Sequence, residues 1–197
     1  FQFGADIVIH AATKYIDGQG RSIGGVVIGD RDFIFGLMHD TLRNTGGCLS
    51  PFDAWVFLKG LETLSIRMQR HSENALELAS WLESHPKVSK VNYPFHPSHP
   101  KYELAKKQMK GGSGLLSFEL KDGYEAGKNL IDSVKLISHV GNLGNSESII
   151  AHSASTSHQQ LSEEERLAAG ITPGFIRMSV GLENTEDLKA DLEQALG

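Results

Sequence analysis

A single cysteine, Cys48, leaves this chain unable to form an internal disulfide, which excludes a stapled miniprotein and makes a reducing cytoplasm the expected location. Long apolar runs are missing too. None reaches the roughly 18–20 uninterrupted residues that a membrane-spanning helix requires. Basic residues are outnumbered by acidic ones, 19 against 24, for a formal net charge of −5 and a pI near 6.0. Nucleic-acid binding by bulk electrostatics needs clustered excess Lys and Arg, so that class is set aside. Repeats and low-complexity tracts are absent. What remains is ordinary for a soluble globular protein: 197 residues, 40% hydrophobic and 22% charged. The length suits one large domain, or one domain and part of another. The sequence opens at Phe1, without Met, and enters a strand-like run almost at once. Domains seldom begin that way, so a preceding N-terminal portion is expected.

Asp6-Ile-Val-Ile-His10 and Gly25-Val-Val-Ile-Gly29 are short apolar runs that read as buried strands of a parallel α/β sheet, covered on both faces. The stretch between them, with Gly18, Gly20, Gly24 and Gly25, reads as a loop, and Phe33 to Leu42 as a short helix. Ser50-Pro-Phe-Asp53 is a helix start, with serine at the N-cap, proline at the first helical position and an acid at the third. No proline follows until Pro86, so one long helix is expected, spanning two domains. Beyond Pro86 short strands and helices alternate. Strands are expected at residues 88–93, 115–120, 136–139, 148–152 and 176–180, and helices at 102–109, 124–133, 162–169 and 186–196. Strands with one polar face each, interleaved with helices, describe a small α+β domain.

Lys14 follows the first strand and precedes the glycine-rich loop. Ligand sites of open α/β sheets form at such strand ends, where a lysine beside Thr13 could form a Schiff base near a phosphate. The same residue also reads as a solvated lysine, since long charged side chains snorkel outward. In Ile176-Arg-Met-Ser-Val180 the apolar residues share one face and leave Arg177 and Ser179 on the other. Arg177 is either a guanidinium fork for a substrate carboxylate or part of a polar sheet face in water. Periodicity alone favours the second. His96-Pro-Ser-His99 has ligand-like spacing, and His152 and His158 flank a Ser/Thr run, but neither pair has a Cys or acidic cluster beside it, so no metal is expected. Cys48 reads as a small loop residue, and Lys110-Gly-Gly-Ser-Gly114 precedes a strand, as a turn does.

Taken in order, several segments resemble one family. His10-Ala-Ala-Thr-Lys-Tyr-Ile-Asp-Gly-Gln-Gly20 and Ile23-Gly-Gly-Val-Val27 are similar to the lysine segment of the pyridoxal-phosphate-dependent Cys/Met-metabolism enzymes. The likeness continues through Leu49-Ser-Pro-Phe-Asp-Ala54, Gly60-Leu-Glu-Thr-Leu-Ser65 and Arg70-His-Ser-Glu-Asn-Ala75. It runs on through Val91-Asn-Tyr-Pro94, Ser98-His-Pro100, His158-Gln-Gln-Leu-Ser-Glu-Glu-Glu165 and Ile176-Arg-Met-Ser-Val-Gly181. Within the family, the likeness points to the O-acetylhomoserine sulfhydrylase branch. Members are roughly twice this length, and the chain resembles their second half.

The resemblance implies an α/β chain of the PLP-dependent transferase fold type I, aspartate-aminotransferase-like. Residues 1–48 would finish the large cofactor domain, 49–85 would form the interdomain helix, and 86–197 the small C-terminal domain. It implies pyridoxal 5′-phosphate as cofactor, Lys14 as the lysine bonded to it, and Thr13 as a phosphate contact. Arg177 would bind the substrate α-carboxylate with the Asn142 region assisting. The implied reaction is γ-replacement on O-acetyl-L-homoserine by sulfide or a small thiol, in a homotetramer. Cystathionine γ-synthase and methionine γ-lyase chemistry are the alternatives within the family, and a non-catalytic remnant is the alternative outside it. Four residues depart from the family pattern. Ala11 replaces a usual serine, a loss of about 1.5–3 kcal/mol if that serine bonds the phosphate. Asp17 stands where glycine is common and would repel an anionic cofactor if it points inward; Gln19 stands for histidine and Ser153 for proline. The ring-stacking tyrosine and the aspartate under the pyridine nitrogen lie outside the matched half, so the chain alone is expected to be inactive and, with two orphan strands, prone to associate.

Overall fold

A computed structural model describes all of residues 1–197. The chain forms two compact units, Phe1–Ser65 and Ile66–Gly197.

In the first unit, strands β1 (Val8–Ala11) and β2 (Gly25–Ile28) pair antiparallel, with Val8 opposite Ile28 and Ala11 opposite Gly25. Helix α1 (Arg31–Leu37) is capped by Asp30, whose carboxylate accepts from Asp32 N at 2.9 Å and Phe33 N at 3.3 Å. The helical run passes through a π-turn at Met38–Leu42 into α2 (Arg43–Thr45) and stops at Gly46, which has φ of 76°. Ser50 Oγ then accepts from Asp53 N at 3.1 Å and opens α3 (Pro51–Glu83). The cap and the helix follow the sequence expectation.

The two apolar strands do not. They are antiparallel rather than parallel, and largely exposed: Ile9 keeps 74% of its surface. A four-residue apolar run specifies a strand but says nothing about what covers it. Nor does it specify direction. An antiparallel return needs only a loop, and the stretch between these strands contains no crossover helix.

In the second unit the strands are β3 (Val88–Asn92), β4 (Leu115–Leu120), β5 (Ser138–His139), β6 (Ile149–His152) and β7 (Phe175–Ser179), in the spatial order β3-β4-β7-β6-β5. All neighbours are antiparallel except β5 and β6. Helices α4 (Tyr102–Gln108), α5 (Gly123–Ser133), α6 (Glu163–Ala168) and α7 (Thr185–Leu196) connect and close the unit. Ala75, Leu78, Ala79 and Leu82 form the stripe of α3 that enters the core. Leu130 and Ile131 of α5, Leu188 and Leu192 of α7, and the sheet residues Phe118, Ile150, Ile176 and Met178 join it. The i, i+3, i+4, i+7 spacing of the α3 residues is what a helix buried along one face requires. Ser162 caps α6 with a complete capping box to Glu165, as its position before a Glu run predicts.

Strand β6 departs from the one-polar-face expectation, for all four of its residues are buried. His152 turns inward against α5. A Cβ on Gly127 would stand 2.6 Å from its ring, and Tyr124 meets it edge-on with ring centroids 5.1 Å apart. Its Nε2 lies 2.7 Å from the Pro173 carbonyl, which can only accept, so that nitrogen carries the proton and Nδ1 accepts from Ser155 Oγ at 2.9 Å. A polar side chain thus occupies a core position by satisfying both ring nitrogens.

Candidate active site

Lys14 sits on a run of turns between β1 and β2. Its N–H donates to Ala11 O at 3.2 Å and its carbonyl accepts from Gly18 N at 2.8 Å, while Asp17 N bonds Ala12 O at 2.9 Å. Gly18 and Gly20, at φ of 71° and 65°, supply the left-handed backbone that closes this loop. Thr13 fastens it to the start of β2. Its Oγ1 accepts from Gly24 N at 3.0 Å and donates to Gly24 O at 3.3 Å, and its own N–H also reaches Gly24 O at 3.3 Å.

Asp17 does point inward, and it is almost completely buried. Its carboxylate accepts from Arg21 N at 2.5 Å, Arg21 Nε at 2.8 Å and Ser22 N at 3.1 Å. Arg21 therefore neutralises the charge that was expected to oppose an anionic cofactor. Its guanidinium also donates to the Asp17 carbonyl at 3.0 Å. The departure from glycine at this position is a staple for the loop rather than a source of repulsion.

The first half of α3 backs the loop. Ser22 Oγ donates to Asp53 Oδ1 at 2.6 Å, and a Cβ on Gly24 would lie 2.5 Å from the ring of Phe57. Gly60 lies so close that a Cβ there would collide with the Ile16 carbonyl oxygen and reach within 3.3 Å of the Asp17 oxygen. Glycine at 60 is a packing requirement: the turn beside Lys14 rests directly on the helix backbone.

Arg177 and Asn142 are brought together in the second unit. Arg177 Nη2 donates to the Asn142 carbonyl at 3.1 Å, and Asn142 Oδ1 accepts from Leu143 N at 2.9 Å. In register, Arg177 stands between Ser117 of β4 and Ala151 of β6. This face is not a wetted polar surface. Ser117, Ile149, Ala151 and Ser179 on it are all buried, and Arg177 itself is half-buried.

Sequence reasoning gave no role to the residues around this pair. Ser179 Oγ accepts from Gly144 N at 2.9 Å, and Glu183 accepts from Ser148 N at 2.5 Å and Ser148 Oγ at 2.8 Å. His71 and Asn74 of α3 bond the carbonyls of Val180, Gly181 and Glu183 at 2.8, 3.1 and 3.0 Å. Their sequence traces are the Arg70-His-Ser-Glu-Asn-Ala75 segment and the Ser-Val-Gly-Leu-Glu run that ends the last strand. The histidines with ligand-like spacing serve turns: His96 Nδ1 meets Ser98 Oγ at 2.8 Å, and His99 Nδ1 accepts from Lys101 N at 3.1 Å.

The family model for the Cys/Met metabolism PLP-dependent enzymes matches residues 1–197. The chain belongs to that family. An O-succinylhomoserine sulfhydrylase of Pseudomonas aeruginosa is 51% identical over 195 residues, which are 99% of this chain and 48% of the relative. An L-methionine gamma-lyase of Fusobacterium nucleatum is 48% identical over 196 residues, 99% of this chain and 50% of that protein. The chain thus spans about half the length of the curated relatives it matches. A Campylobacter jejuni protein assigned as an O-acetylhomoserine (thiol)-lyase, solved with N′-pyridoxyl-lysine-5′-monophosphate, superposes with a TM-score of 0.92 at 40% identity. All of this chain and 55% of that one are covered. The fold is therefore that of the PLP-dependent type I enzymes, and pyridoxal phosphate is the family's cofactor, both as the sequence resemblance implied.

The donor set of the Lys14 loop fits that cofactor. A primary amine on a pinned turn suits condensation with an aldehyde, and the buried carboxylate of the loop, Asp17, is paired with Arg21. Thr13 offers a hydroxyl to a phosphate. Its 3.3 Å bond to Gly24 O is at the weak end of the hydrogen-bond range, so its proton can turn to a stronger acceptor while Gly24 N still holds the oxygen in place.

Proposed function

We propose that this chain carries the lysine and the carboxylate-binding arginine of an enzyme that replaces the γ-substituent of an O-acyl-L-homoserine with sulfide or a small thiol. The products are homocysteine or methionine and the free acid, acetate in the O-acetyl case. The Lys14 turn, locked to Gly24 by Thr13 and supported by the Asp17–Arg21 pair, carries this reading. Sulfhydrylase relatives of both the O-succinyl and O-acetyl kinds support it.

When bound, pyridoxal phosphate supplies an aldehyde for amines and a ring that accepts the electrons freed at the substrate α-carbon. Lys14 Nζ holds the cofactor before substrate arrives. Its free amine would take the proton from Cα and return it within the same site, while the acyloxy group leaves Cγ as the carboxylate and sulfide or the thiol bonds to Cγ in its place. Arg177 binds the α-carboxylate through its planar fork, and the Asn142 carbonyl holds one arm of that fork in place. Thr13 Oγ1 would donate to the phosphate.

The test is the Lys14→Ala variant of the full-length enzyme. Loss of the visible absorbance of the lysine-bound cofactor is expected, and an unchanged band overturns the assignment. Sulfide-dependent homocysteine formation from O-acetyl- and O-succinyl-L-homoserine reads the acyl group. The 48% identity with a methionine gamma-lyase favours γ-elimination as the second reading. Ammonia release from methionine without any sulfide-dependent product would select it.

A further inference from the structure

The strand end that follows Arg177 holds a set of contacts that none of the roles above uses. The loop between β5 and β6 is tied to it at successive points. Gly144 N donates to Ser179 Oγ at 2.9 Å, Leu182 N to Ser146 O at 2.7 Å, and Gly181 N to Ser148 Oγ at 2.8 Å. Glu183 closes the series: its two carboxylate oxygens take the Ser148 N–H at 2.5 Å and the Ser148 hydroxyl at 2.8 Å. The fit leaves no room for a side chain at 181, where a Cβ would collide with Ser146 O and the Glu183 carboxylate and approach Ser148 N to 2.6 Å. On the other side, Asn74 Nδ2 holds the Gly181 and Glu183 carbonyls at 3.1 and 3.0 Å, so the backbone that carries Glu183 is itself keyed to α3.

We propose that Glu183 is a positioning residue for Arg177, clamping Ser148 so that the 142–148 loop presents the Asn142 carbonyl to the guanidinium. The inference rests on the reading of Arg177 as the α-carboxylate binder. The backbone of Arg177 is fixed by pairing on both sides, to Ser117 and to Ala151. The direction of its guanidinium is not fixed by the sheet. It depends on the Asn142 carbonyl, which lies outside any strand. Asn142 is held in turn through the loop whose far end Glu183 grips. Hydrogen bonds to an ionised acceptor are the strong ones in such a set, and Glu183 provides two of them at one residue. Removing the carboxylate takes away the two charge-assisted bonds at Ser148 and loosens that end of the loop, while the Ser179 and Ser146 bonds and the strand pairing remain, so the effect falls on substrate carboxylate recognition.

The experiment uses the full-length, cofactor-loaded enzyme and two unreactive probes, L-norleucine and L-norleucinamide, which differ only in the α-carboxylate. Their dissociation constants are read from the change each causes in the visible absorbance. In the unaltered enzyme the acid binds more tightly than the amide, and Arg177→Ala brings the ratio to near unity. Glu183→Ala is expected to reduce the ratio about tenfold, the scale of one strong hydrogen bond, with no further reduction when combined with Arg177→Ala. Glu183→Gln keeps one acceptor oxygen for Ser148 N and recovers most of the loss. Ser148→Ala, which removes only the hydroxyl bonds, lowers the ratio about threefold. A Glu183→Ala enzyme that is less heat-stable yet keeps the original ratio overturns the proposal, because Glu183 is then structural only. If Arg177→Ala itself keeps the original ratio, the assignment of Arg177 falls, and the proposal with it.

Discussion

At position 60 two opposing effects have calculable sizes. Alanine is the better helix former, by about 1 kcal/mol in a helix interior. Gly60 lies within α3, so propensity alone would make Gly60→Ala stabilising. The added methyl, however, would meet the Ile16 carbonyl oxygen, and backbone cannot step aside as a flexible side chain can. Overpacking of this kind costs about 1–3 kcal/mol, which exceeds the propensity gain. The displaced turn carries Lys14. Gly60→Ala is therefore expected to destabilise the first unit and weaken pyridoxal phosphate binding by about tenfold, since a shift of that turn misplaces the bonding amine. Titration of the apo enzyme with cofactor checks it. Wild-type affinity would show that the turn yields without moving Lys14.

At the level of elements, α7 shows how a helix is held by something other than its apolar stripe. Leu188 and Leu192 enter the core, and Asp191 between them is nearly buried. Its carboxylate accepts from the N–H groups of Lys135, Leu136 and Ile137 at 2.8, 2.9 and 2.9 Å, at the end of α5 and the approach to β5. Burial pushes its pKa up, but these three donors and Gln194 outweigh it, and the carboxyl sits below its ordinary value. Asp191→Ala would leave three N–H groups without their acceptor and cost about 2–4 kcal/mol, by urea unfolding; a loss under about 0.5 kcal/mol would mean that water replaces the carboxylate.

Nothing in the sequence marks Asp191, because its partners lie 54 to 56 residues away and an acid in an amphipathic helix reads as solvated. Glu183 and Asn74 were hidden for the same reason. Local signals did better. The Ser50 and Ser162 caps and the β7 alternation are properties of neighbouring residues, and they appear in the structure; the apolar spacing of α3 is buried only from Ala75 to Leu82, with Leu58 and Leu61 exposed. The Lys14 and Arg177 segments were picked out by their resemblance to a family, whereas periodicity alone favoured a solvent-facing Arg177. The antiparallel pairing of β1 and β2 was not legible, since a four-residue apolar run carries no direction.

On the scale of the whole molecule, the titratable groups that folding perturbs most tellingly lie in the second unit, and they share a sign. Burial holds His71 below its ordinary value of 6.5, opposed by its bond to the Val180 carbonyl, with Arg67 nearby adding to the depression. Burial likewise lowers His152, opposed by its bond to the Pro173 carbonyl. Both are neutral donors to carbonyl oxygens in the folded chain. Once unfolded they bind protons at higher pH than when folded, so the unfolded state holds more protons just below pH 6.5. Stability then rises with pH through that window, is complete above it, and is lost as pH falls until the folded histidines also protonate. Asp191 adds a second loss with the same sign at lower pH, present above its ordinary carboxyl value and lost as pH falls through its depressed one. The exposed Lys189–Glu77 pair, although short at 2.6 Å, is screened by solvent and contributes little to either. Urea midpoints for the second unit are therefore expected to fall between about pH 7 and pH 5, with a slope of up to about 1.4 kcal/mol per pH unit for each histidine. His152→Gln is expected to flatten the slope at some cost in overall stability. A midpoint independent of pH over this range would mean that neither His71 nor His152 resists protonation in the fold, against the burial that lowers both.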